Sequence, residues 1–493
     1  MPNQEPIIIR ASDLRKLHFC QRKAWLDIHG DVTERDLPTE GLMMRFIGGV
    51  SHEEKVHEAT TDEIRQHVVR SWREGIEMTR SAMQQGTRGI IGAFLETEFE
   101  MGTKRISVRG KADRIVPLRL SGHTVYAPIE IKYYRNITAS DELQLDCYIW
   151  LLGQIQGIRP PAEFWMGRGV DGRPAQRLRH QYDETRLMQA FELLLQYHLR
   201  EANEPDVYID SRCKQCHWFS ACRKEAAATY DLSLINRLRQ DSREELLTAD
   251  VKTLNQLIEM EAAQLRQIKG IKSTAEQFHA QARAWVEDRP IFYREPSPLC
   301  MGDVWHVDTE YYPNHAANGY EVWSIGWSRG DEPPSIILVA EGQSEKELSL
   351  PNGQRVLVVH SADDAWRLFA EIVGQDDAPI FHWSPADKTA LGKKAPQVVI
   401  DRIMGRFTDL ERHFVKSVQL PVYGTSIKDI AAYVGFAWSG HDHWFAAFRD
   451  YETWLSNGDE TALTRTCAYQ SDDVSALAVV RRWMIENYPV QSE

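Results

Sequence analysis

The sequence predicts an α/β protein with three consecutive segments. Up to about Glu225 a strand pair is flanked by helical patterns, and from about Arg294 onward apolar strands alternate with helices. Between them, Asp231–Asp288 is helical in pattern, rich in Leu, Gln, Glu and Arg, and without strand signals. Two prolines in Arg294–Pro298 oppose regular structure, which favours a boundary there. The expected domains are 1–225, 226–295 and 296–493.

Composition excludes several classes of protein. Of the 493 residues, 43% are hydrophobic and 26% are charged, as in globular proteins, which excludes a disordered chain. No apolar run approaches the roughly 18 residues that span a bilayer, so no membrane partner is expected. The start, MPNQEPIIIR, is unlike a secretory signal, and a cytoplasmic location is expected. Seven cysteines are too few and too uneven for a disulfide framework.

The net charge of −13 is unevenly distributed. Residues 1–225 carry 32 acidic and 32 basic side chains, and residues 226–295 carry 11 and 10. Residues 296–493 carry 28 and 16, a net charge of −12. Such a segment is typical of carboxylates that bind divalent metal, and equally of a solvated acidic face. Charge alone leaves both open.

The strand pair of the first segment carries a candidate site. Arg105–Leu120 and Thr124–Tyr133 are predicted strands joined by a tight turn. Because side chains alternate across a strand, Glu130 and Lys132 share one face, and the hairpin brings Asp113 near Glu130. Carboxylates can hold Mg²⁺ or Mn²⁺, and the amine can orient a water. For E-x-K alone, an exposed salt bridge is the alternative.

Further motifs flank this strand pair. A G-x-x-x-H motif ends at His52, and Gln144 and Tyr148 lie one turn apart on a helix that begins near Ser140. The order G-x-x-x-H, G-K-x-D, E-x-K and Q-x-x-x-Y resembles the RecB-type nucleases of the PD-(D/E)xK superfamily, over roughly residues 10–225.

The resemblance implies a restriction-endonuclease-like fold and a role for each motif. It implies metal ligation by His52, Asp113, Glu130 and the backbone carbonyl of Ile131. Lys132 would be the catalytic lysine, and Gln144 and Tyr148 would support the site or the substrate.

A cysteine cluster closes the first segment. Cys213, Cys216 and Cys222 form a compact set, and a C-x-x-C pair brings two sulfurs to one ion. Cys20 is the candidate fourth ligand; zinc bound with His217, or an inert set of thiols, are the alternatives. An early cysteine followed by this spacing resembles the iron–sulfur RecB-type nucleases. That resemblance implies a [4Fe–4S] cluster on the four cysteines, with a chiefly structural role.

The middle segment contains a candidate DNA contact. Leu265–Ala282 resembles a helix-hairpin-helix, although Lys272 follows where the usual motif has a second glycine. We expect Lys269 and Lys272 to contact phosphate. A plain helical connector is the alternative.

The last segment contains separated carboxylates. Val304–Glu310 is predicted to end a strand with D-x-E, so Asp308 and Glu310 project to the same side. Asp387 stands three residues after Ser384 at the start of a predicted helix. A capping box places its acid there too, so a helix cap is the alternative for Asp387.

A tyrosine and two further carboxylates follow near the end of the chain. Tyr469 and Asp473 are predicted to share a face at the start of a long helix, with Asp472 as the neighbouring alternative. The order D-x-E, Asp, Y-x-x-x-D resembles the DEDD exonucleases, and Asp409–Phe436 resembles RNase H-like domains found beside RecB-like nucleases. The resemblance covers about residues 300–485. It implies two metal ions on Asp308, Glu310, Asp387 and Asp473, with Tyr469 orienting the attacking water.

Together the resemblances imply a metal-dependent exonuclease that acts on single-stranded DNA ends through two sites, in repair, recombination or defence. The C-terminal site would cut from 3′ ends. The sequence has no G-x-x-x-x-G-K-[ST] phosphate loop, so a helicase partner would act in trans. The alternatives are RNA processing or decay by the C-terminal domain, and a non-catalytic nucleic-acid-binding subunit of a helicase–nuclease complex.

Overall fold

The chain folds into two compact units of mixed α/β structure, which confirms the predicted class. A computed structural model describes residues 5–38, 53–59, 64–65, 69–120, 122–134, 136–169, 173–314, 319–441 and 443–489. The N-terminal unit comprises Met1–Val207 and Ser211–Arg223, and the C-terminal unit comprises Tyr208–Asp210 and Lys224–Glu493. No helix of the described residues is both long and apolar enough to cross a membrane.

The N-terminal unit contains a mixed parallel and antiparallel sheet with helices packed on it. Its strands are β1 (Ile7–Arg10), β2 (Ile64–Arg65), β3 (Ile90–Met101), β4 (Lys104–Leu120), β5 (His123–Lys132), β6 (Ala162–Arg168) and β7 (Pro174–His180). Its helices are α1 (Ala11–Phe19), α2 (Gln21–His29), α3 (residues 53–58), α4 (Trp72–Gln84), α5 (Ala139–Gln156) and α6 (Glu184–Leu199). Helix α7 (Phe219–Thr229) includes the boundary after Arg223.

The long strand β4 organises this sheet. The strand order is β2-β3-β4-β5-β6-β7, and β1 pairs in parallel with β4. Strands β4 and β5 form the predicted hairpin, with bounds within one residue of those expected. The hairpin register pairs Arg114 with Ile129, so Asp113 and Glu130 occupy the next position along the two strands.

Helix α5 forms the centre of the N-terminal core. A capping box begins it, in which the Thr138 side chain accepts from the backbone N–H of Asp141 and the Asp141 carboxylate accepts from Thr138. Leu143, Tyr148 and Leu151 are among its many buried residues, because α5 packs against β3, β5, α1 and α6. This packing holds the face of α5 that carries Tyr148 against the sheet.

The C-terminal unit contains a second sheet and most of the helices. Its strands are β8 (Ile291–Phe292), β9 (Trp305–Asn314), β10 (Gly319–Arg329), β11 (Ser335–Val339), β12 (Lys346–Ser349), β13 (Arg355–Val359), β14 (Ile380–His382), β15 (Phe407–Asp409) and β16 (Val418–Gln419). Its further helices are α8 (Gln240–Thr248), α9 (Leu254–Glu259), α10 (Ala262–Leu265), α11 (Ala275–Glu287), α12 (Ala362–Val373), α13 (Ala386–Lys394), α14 (Gln397–Ile403), α15 (Leu410–Ser417), α16 (Ile427–Tyr433), α17 (Trp444–Asn457) and α18 (Glu460–Glu486).

The larger sheet of this unit has the order β12-β13-β11-β10-β9-β14-β15. Strand β9 does not end at Glu310, as the sequence predicts, but continues to Asn314. It continues because β10 pairs with it along its whole length, apart from a register shift between Val322 and Ser324. Asp308 and Glu310 therefore project from the middle of a central strand.

Helix α18 is longer at its N-terminus than predicted. It begins at Glu460, where the Asp459 carboxylate accepts from the N–H groups of Thr461 and Ala462. The expectation that the helix starts near Tyr469 is therefore wrong, because this cap lies further upstream. Tyr469 consequently lies inside a helix of 27 residues that packs on β9 and β10.

The middle segment belongs to the C-terminal unit by contact. Helix α10 ends at Leu265, residues 266–274 form turns, and α11 begins at Ala275. Gly270 adopts a φ of 85° against Ser242, a conformation that disfavours other residues. The Lys269 side chain is 87% exposed, with its amine 4.0 Å from a Glu245 carboxylate oxygen, and Lys272 is also exposed.

Candidate active sites

The β4–β5 hairpin brings a lysine and two carboxylates together in the N-terminal unit. The Lys132 amine lies 2.5 Å from Glu130 Oε1, and both side chains are buried. Asp113 Oδ2 accepts from the Ile131 backbone N–H at 2.8 Å. Among the described residues, no group hydrogen-bonds the other carboxylate oxygen of Glu130, Oε2. A buried carboxylate oxygen of this kind suits a metal ligand.

The charges of this cluster compensate one another in part. Burial raises the pKa of Asp113 well above its ordinary value, the Glu130 charge adds to the rise, and the Lys132 charge opposes it. For Lys132, burial acts to lower the pKa, but the charges of Glu130 and Asp113 outweigh it and the pKa is raised. Lys132 is therefore a cation at neutral pH, held between carboxylates.

Gln144 and Tyr148 meet on α5 as predicted from their spacing. Gln144 Nε2 lies 2.9 Å from the Tyr148 hydroxyl, which donates to the Lys111 carbonyl at 2.8 Å. Tyr148 is fully buried, and a Cβ on Gly110 would lie 2.7 Å from its ring. The pair thus braces β4, which carries Asp113. The predicted ligand His52 lies outside the described residues.

The four predicted cluster cysteines lie in the N-terminal unit and form no disulfides. Cys20 caps α2, accepting from the N–H of Lys23 at 3.4 Å, and Cys216 accepts from the N–H of Trp218 at 3.5 Å. Burial raises the thiol pKa of Cys216 and of Cys222, and in both cases the charge of Cys20 raises it further. Charges that act on one another in this way belong to neighbouring thiols.

Two features of this region are the distances between these thiols and the surroundings of His217, the residue of the zinc alternative. No three of the four cysteines, Cys20, Cys213, Cys216 and Cys222, bring their sulfurs within 4.8 Å of one another. His217 Nε2 lies 2.7 Å from Asp27 Oδ1, so this ring nitrogen is already paired with a carboxylate. The other three cysteines of the sequence are buried thiols: Cys147, Cys300 and Cys467.

In the C-terminal unit, β9 and α18 bring three carboxylates together. Ligand atoms of Asp308, Glu310 and Asp473 all lie within 4.8 Å of one another. Within the part of the chain that the structure describes, they are the one such group of three or more metal-ligating side chains. Burial raises the pKa values of Asp308 and Glu310 well above the ordinary range, and the neighbouring carboxylates raise them further. Such a cluster can hold divalent cations.

Asp387 stands beside this group without being one of the three. Its Oδ1 accepts from the backbone N–H of Thr309 at 2.9 Å and from the Thr309 hydroxyl at 2.7 Å. Burial raises its pKa to about 6, the Thr309 hydrogen bonds oppose the rise, and the Asp473 charge adds to it. The N-cap of α13 is Pro385, with no side-chain cap, so Asp387 has no capping box with Ser384.

Tyr469 and Asp473 share one face of α18, as their spacing predicts. The Tyr469 hydroxyl interacts with the carboxylates of Glu310 and Asp473 and lowers the pKa of both. Burial and the surrounding carboxylates raise the pKa of Tyr469 well above its ordinary value, so the phenol is neutral and can donate. Asp472 instead accepts from the N–H and hydroxyl of Ser439, at 2.7 and 2.9 Å.

Three further residues contact this site, and sequence reasoning missed them. Trp438 Nε1 donates to Asp473 Oδ1 at 2.7 Å, and Gln470 Nε2 donates to Asp308 Oδ2 at 2.7 Å. The Lys428 amine lies 5.0 Å from the ring centroid of Tyr469, and its charge lowers the pKa of Asp473. The sequence could have indicated Lys428, because it lies in Asp409–Phe436, the segment that resembles RNase H-like domains, whereas Trp438 lies outside that segment.

The sheet with carboxylates on its central strand and on a packed helix is typical of a metal-dependent, nucleic-acid-cleaving hydrolase. Comparison agrees: residues 355–485 match the model of the RNase_H superfamily. This match confirms the RNase H-like domain and indicates a nuclease-type activity with nucleic acid and divalent metal as partners. The matched range includes Asp387, Tyr469 and Asp473.

The remaining comparisons add little. No curated protein matches the chain. Among solved structures, the chain is similar to the crystal structure of SSO0001, with 17% identity over 44% of this chain and 86% of that one. The TM-score of this pair is 0.25, too low to bear on fold or function.

Proposed function

We propose that the chain is a metal-dependent exonuclease that acts on single-stranded DNA ends through two active sites. The carboxylate cluster of the C-terminal unit carries this proposal. Three carboxylates whose ligand atoms lie within 4.8 Å repel one another strongly, and partial burial increases the repulsion. Divalent cations would remove it.

In the C-terminal site we assign Asp308, Glu310, Asp387 and Asp473 as metal ligands. Two divalent cations bound there would stabilise the charge that develops on the attacking and leaving oxygens of the phosphodiester. Tyr469 is a neutral phenol at neutral pH that interacts with Glu310 and Asp473, so its oxygen could orient the attacking water. By resemblance to the DEDD exonucleases, this site cuts from 3′ ends.

In the N-terminal site we assign Lys132 as the catalytic lysine, with Asp113, Glu130, the Ile131 carbonyl and His52 as metal ligands. The buried Glu130 Oε2 without a partner among the described residues supports metal ligation there. The Lys132 ammonium stays charged because two carboxylates face it, so it can hold an oxygen of water or phosphate. Gln144 and Tyr148 support the site through β4.

We further propose that Cys20, Cys213, Cys216 and Cys222 hold a [4Fe–4S] cluster. The charge of Cys20 acts on both Cys216 and Cys222, which supports a shared metal group on these cysteines. The resemblance to the iron–sulfur RecB-type nucleases favours the cluster over zinc bound with His217. Iron, sulfide and zinc analysis of anaerobically purified protein separates the two: about four irons are expected, and stoichiometric zinc would refute the cluster.

We also propose that the chain is divided into domains 1–225, 226–295 and 296–493. In the middle domain, we propose that Lys269 and Lys272 contact DNA phosphates. The exposure of both lysines supports such contacts. Reversing both charges should weaken DNA binding and reduce its salt dependence. If affinity and salt dependence are unchanged, the segment 226–295 is a plain helical connector without DNA contacts.

The decisive experiment is degradation of single-stranded DNA labelled at either end, with Mg²⁺ or Mn²⁺, under anaerobic conditions. Wild type is compared with Lys132→Ala, Asp308→Ala and the double variant. Each single variant should lose a different product ladder, and the double variant should be inactive. If wild type leaves DNA intact but degrades the matching RNA, the RNA alternative replaces the proposal. If it binds both and cleaves neither, the chain is a binding subunit.

A further inference from the structure

A cavity of about 890 Å³ opens in the C-terminal unit close to Asp387. Residues of α13, β15 and α15 line it, together with the segment 294–297. Lys388, which lines the cavity, follows Asp387 directly in α13. His382 also lines it, and its Nδ1 lies 4.0 Å from Asp387 Oδ2. The cavity therefore begins next to one of the candidate metal ligands.

This cavity is basic within an acidic part of the chain. Its cationic side chains outnumber its carboxylates, Glu295 and Asp409. The cationic residues of the lining are Arg294, which forms an ion pair with Glu276 at 2.6 Å, and Lys388, Arg412 and Lys416. Residues 296–493 carry 28 acidic and only 16 basic side chains, so this concentration of positive charge runs against the local composition. Such a concentration indicates an anionic ligand.

Helix α15 presents two of these cations on one face. Arg412 and Lys416 are separated by four residues, so they project from the same side, whereas Phe414 and Val415 are buried in the core. Both cationic side chains are exposed, and neither forms an ion pair with another described residue. Asp409 caps α15 by accepting from the N–H of Arg412, which anchors the start of the helix.

A hydrogen bond fixes the position of a third cation of the cavity, Lys388. Lys388 Nζ donates to the Phe407 carbonyl at 2.9 Å, which leaves two of its N–H groups for a ligand. The neighbouring cations also affect the protonation of His413, a histidine of the lining. Burial, and then the charges of Lys416 and Arg412, lower the pKa of His413, so it does not add to the charge at neutral pH.

We propose that this cavity binds the phosphodiester backbone of the substrate strand, with Lys388, Arg412 and Lys416 contacting successive phosphates. The assignment rests on the proposed nuclease function, because it supplies the path by which a strand reaches Asp387. Ammonium and guanidinium groups are the usual partners of phosphate oxygens. The volume far exceeds that of one phosphate, which favours a stretch of strand. The alternative source of phosphate is the released mononucleotide.

The test compares Arg412→Ala/Lys416→Ala with a control, Lys346→Ala/Arg367→Ala, which removes two exposed cations of the same unit outside the cavity. Binding of a labelled 12-mer of single-stranded DNA is measured by anisotropy in the full chain, without divalent metal, across a salt series. Each lost contact to single-stranded DNA lowers the slope of log affinity against log salt by about 0.7. We expect the slope to fall by about 1.4 and affinity at 0.1 M salt to fall roughly tenfold. The control should match wild type; a cavity variant that also matches it would overturn the assignment.

Turnover with Mn²⁺ separates this inference from the proposed function. The cavity variant should show a KM raised roughly tenfold with kcat nearly unchanged, because the cations hold the strand and not the reacting atoms. If wild type degrades DNA and the cavity variant has the KM of the control, the inference fails and the nuclease stands. If wild type shows no turnover while the difference in binding persists, the nuclease fails and the cavity stands. If the variant keeps its affinity for the strand but loses inhibition by deoxyadenosine monophosphate, the cavity holds mononucleotide and the strand assignment is wrong.

Discussion

The two candidate sites place carboxylates on a sheet in similar ways but balance their charge differently. In the N-terminal unit, the Lys132 amine lies 2.5 Å from Glu130, so a cation of the protein compensates part of the negative charge. In the C-terminal unit, Asp308, Glu310 and Asp473 face one another, and Lys428 stands over the ring of Tyr469. The first site therefore holds its own counter-ion, whereas bound divalent cations would supply most of the compensation in the second.

The largest expected effect is on catalysis at the C-terminal site. In a Lys132→Ala background, which isolates that site, Asp308→Asn should reduce Mn²⁺-dependent degradation of DNA about 1000-fold, because metal binding contributes several kcal/mol to the rate. Initial rates on a 5′-labelled strand measure it. The control is Asp472→Asn, since Asp472 hydrogen-bonds to Ser439 outside the carboxylate group. An equal loss in the control would show that the site is assigned to the wrong carboxylates.

The two sites should respond with opposite signs in stability when a charge is removed. Without metal, Lys132→Met should lower the free energy of unfolding by about 3–5 kcal/mol, because it leaves buried carboxylates without their cation. Asp308→Asn should raise it by about 1 kcal/mol, because it relieves repulsion among carboxylates. Urea unfolding measures both. Adding Glu130→Gln to Lys132→Met should recover most of the loss, and the comparison breaks if both single variants shift stability in the same direction.

Each unit also brings a helix close to a sheet strand at a glycine. A Cβ at Gly326 would lie 2.8 Å from Gln470 Cγ, and one at Gly110 would lie 2.7 Å from the Tyr148 ring. Either glycine to alanine change should therefore destabilise its unit by about 1–3 kcal/mol, measured by urea unfolding. Gly302→Ala is the control, because nothing lies within 4 Å of the added carbon. If Gly326→Ala unfolds like the control, α18 does not pack on β10 at this distance.

The smallest expected effect is a pH dependence of stabilisation by metal. The pKa of Asp387 is raised to about 6, and those of Asp308 and Glu310 are also raised, well above their ordinary values. A carboxyl with a raised pKa favours the folded state while protonated, so metal-free stability falls as pH rises from about 4 through these values. Metal binds the ionised form, so Mn²⁺ should raise the Tm by a few degrees more at pH 8 than at pH 5.5.

Differential scanning fluorimetry at the two pH values measures this difference. It should become smaller in Asp308→Asn, where the remaining part comes from Asp113 of the N-terminal site, whose pKa is also raised. A difference of unchanged size in Asp308→Asn would assign the response to groups outside the C-terminal carboxylates.

Local patterns predicted several parts of these sites closely. The β4–β5 register follows from alternation and a short turn, so Asp113 was expected beside Glu130. Gln144 and Tyr148 were expected on one helical face for the same kind of reason, and they hydrogen-bond. The ends of longer elements were predicted less well, since the N-terminus of α18 depends on the Asp459 cap, and the length of β9 depends on its partner β10.

The sequence by itself determined the α/β class, the positions of the acidic motifs and the distribution of charge along the chain. These depend on periodicity, composition and spacing of a few residues, all of which are local. Only the tertiary structure decided that Asp387 hydrogen-bonds to Thr309, that Trp438 and Lys428 contact the carboxylate site, and that a basic cavity lies close to Asp387. The physical reason is that these contacts join residues tens of positions apart, and packing of whole elements sets their distances.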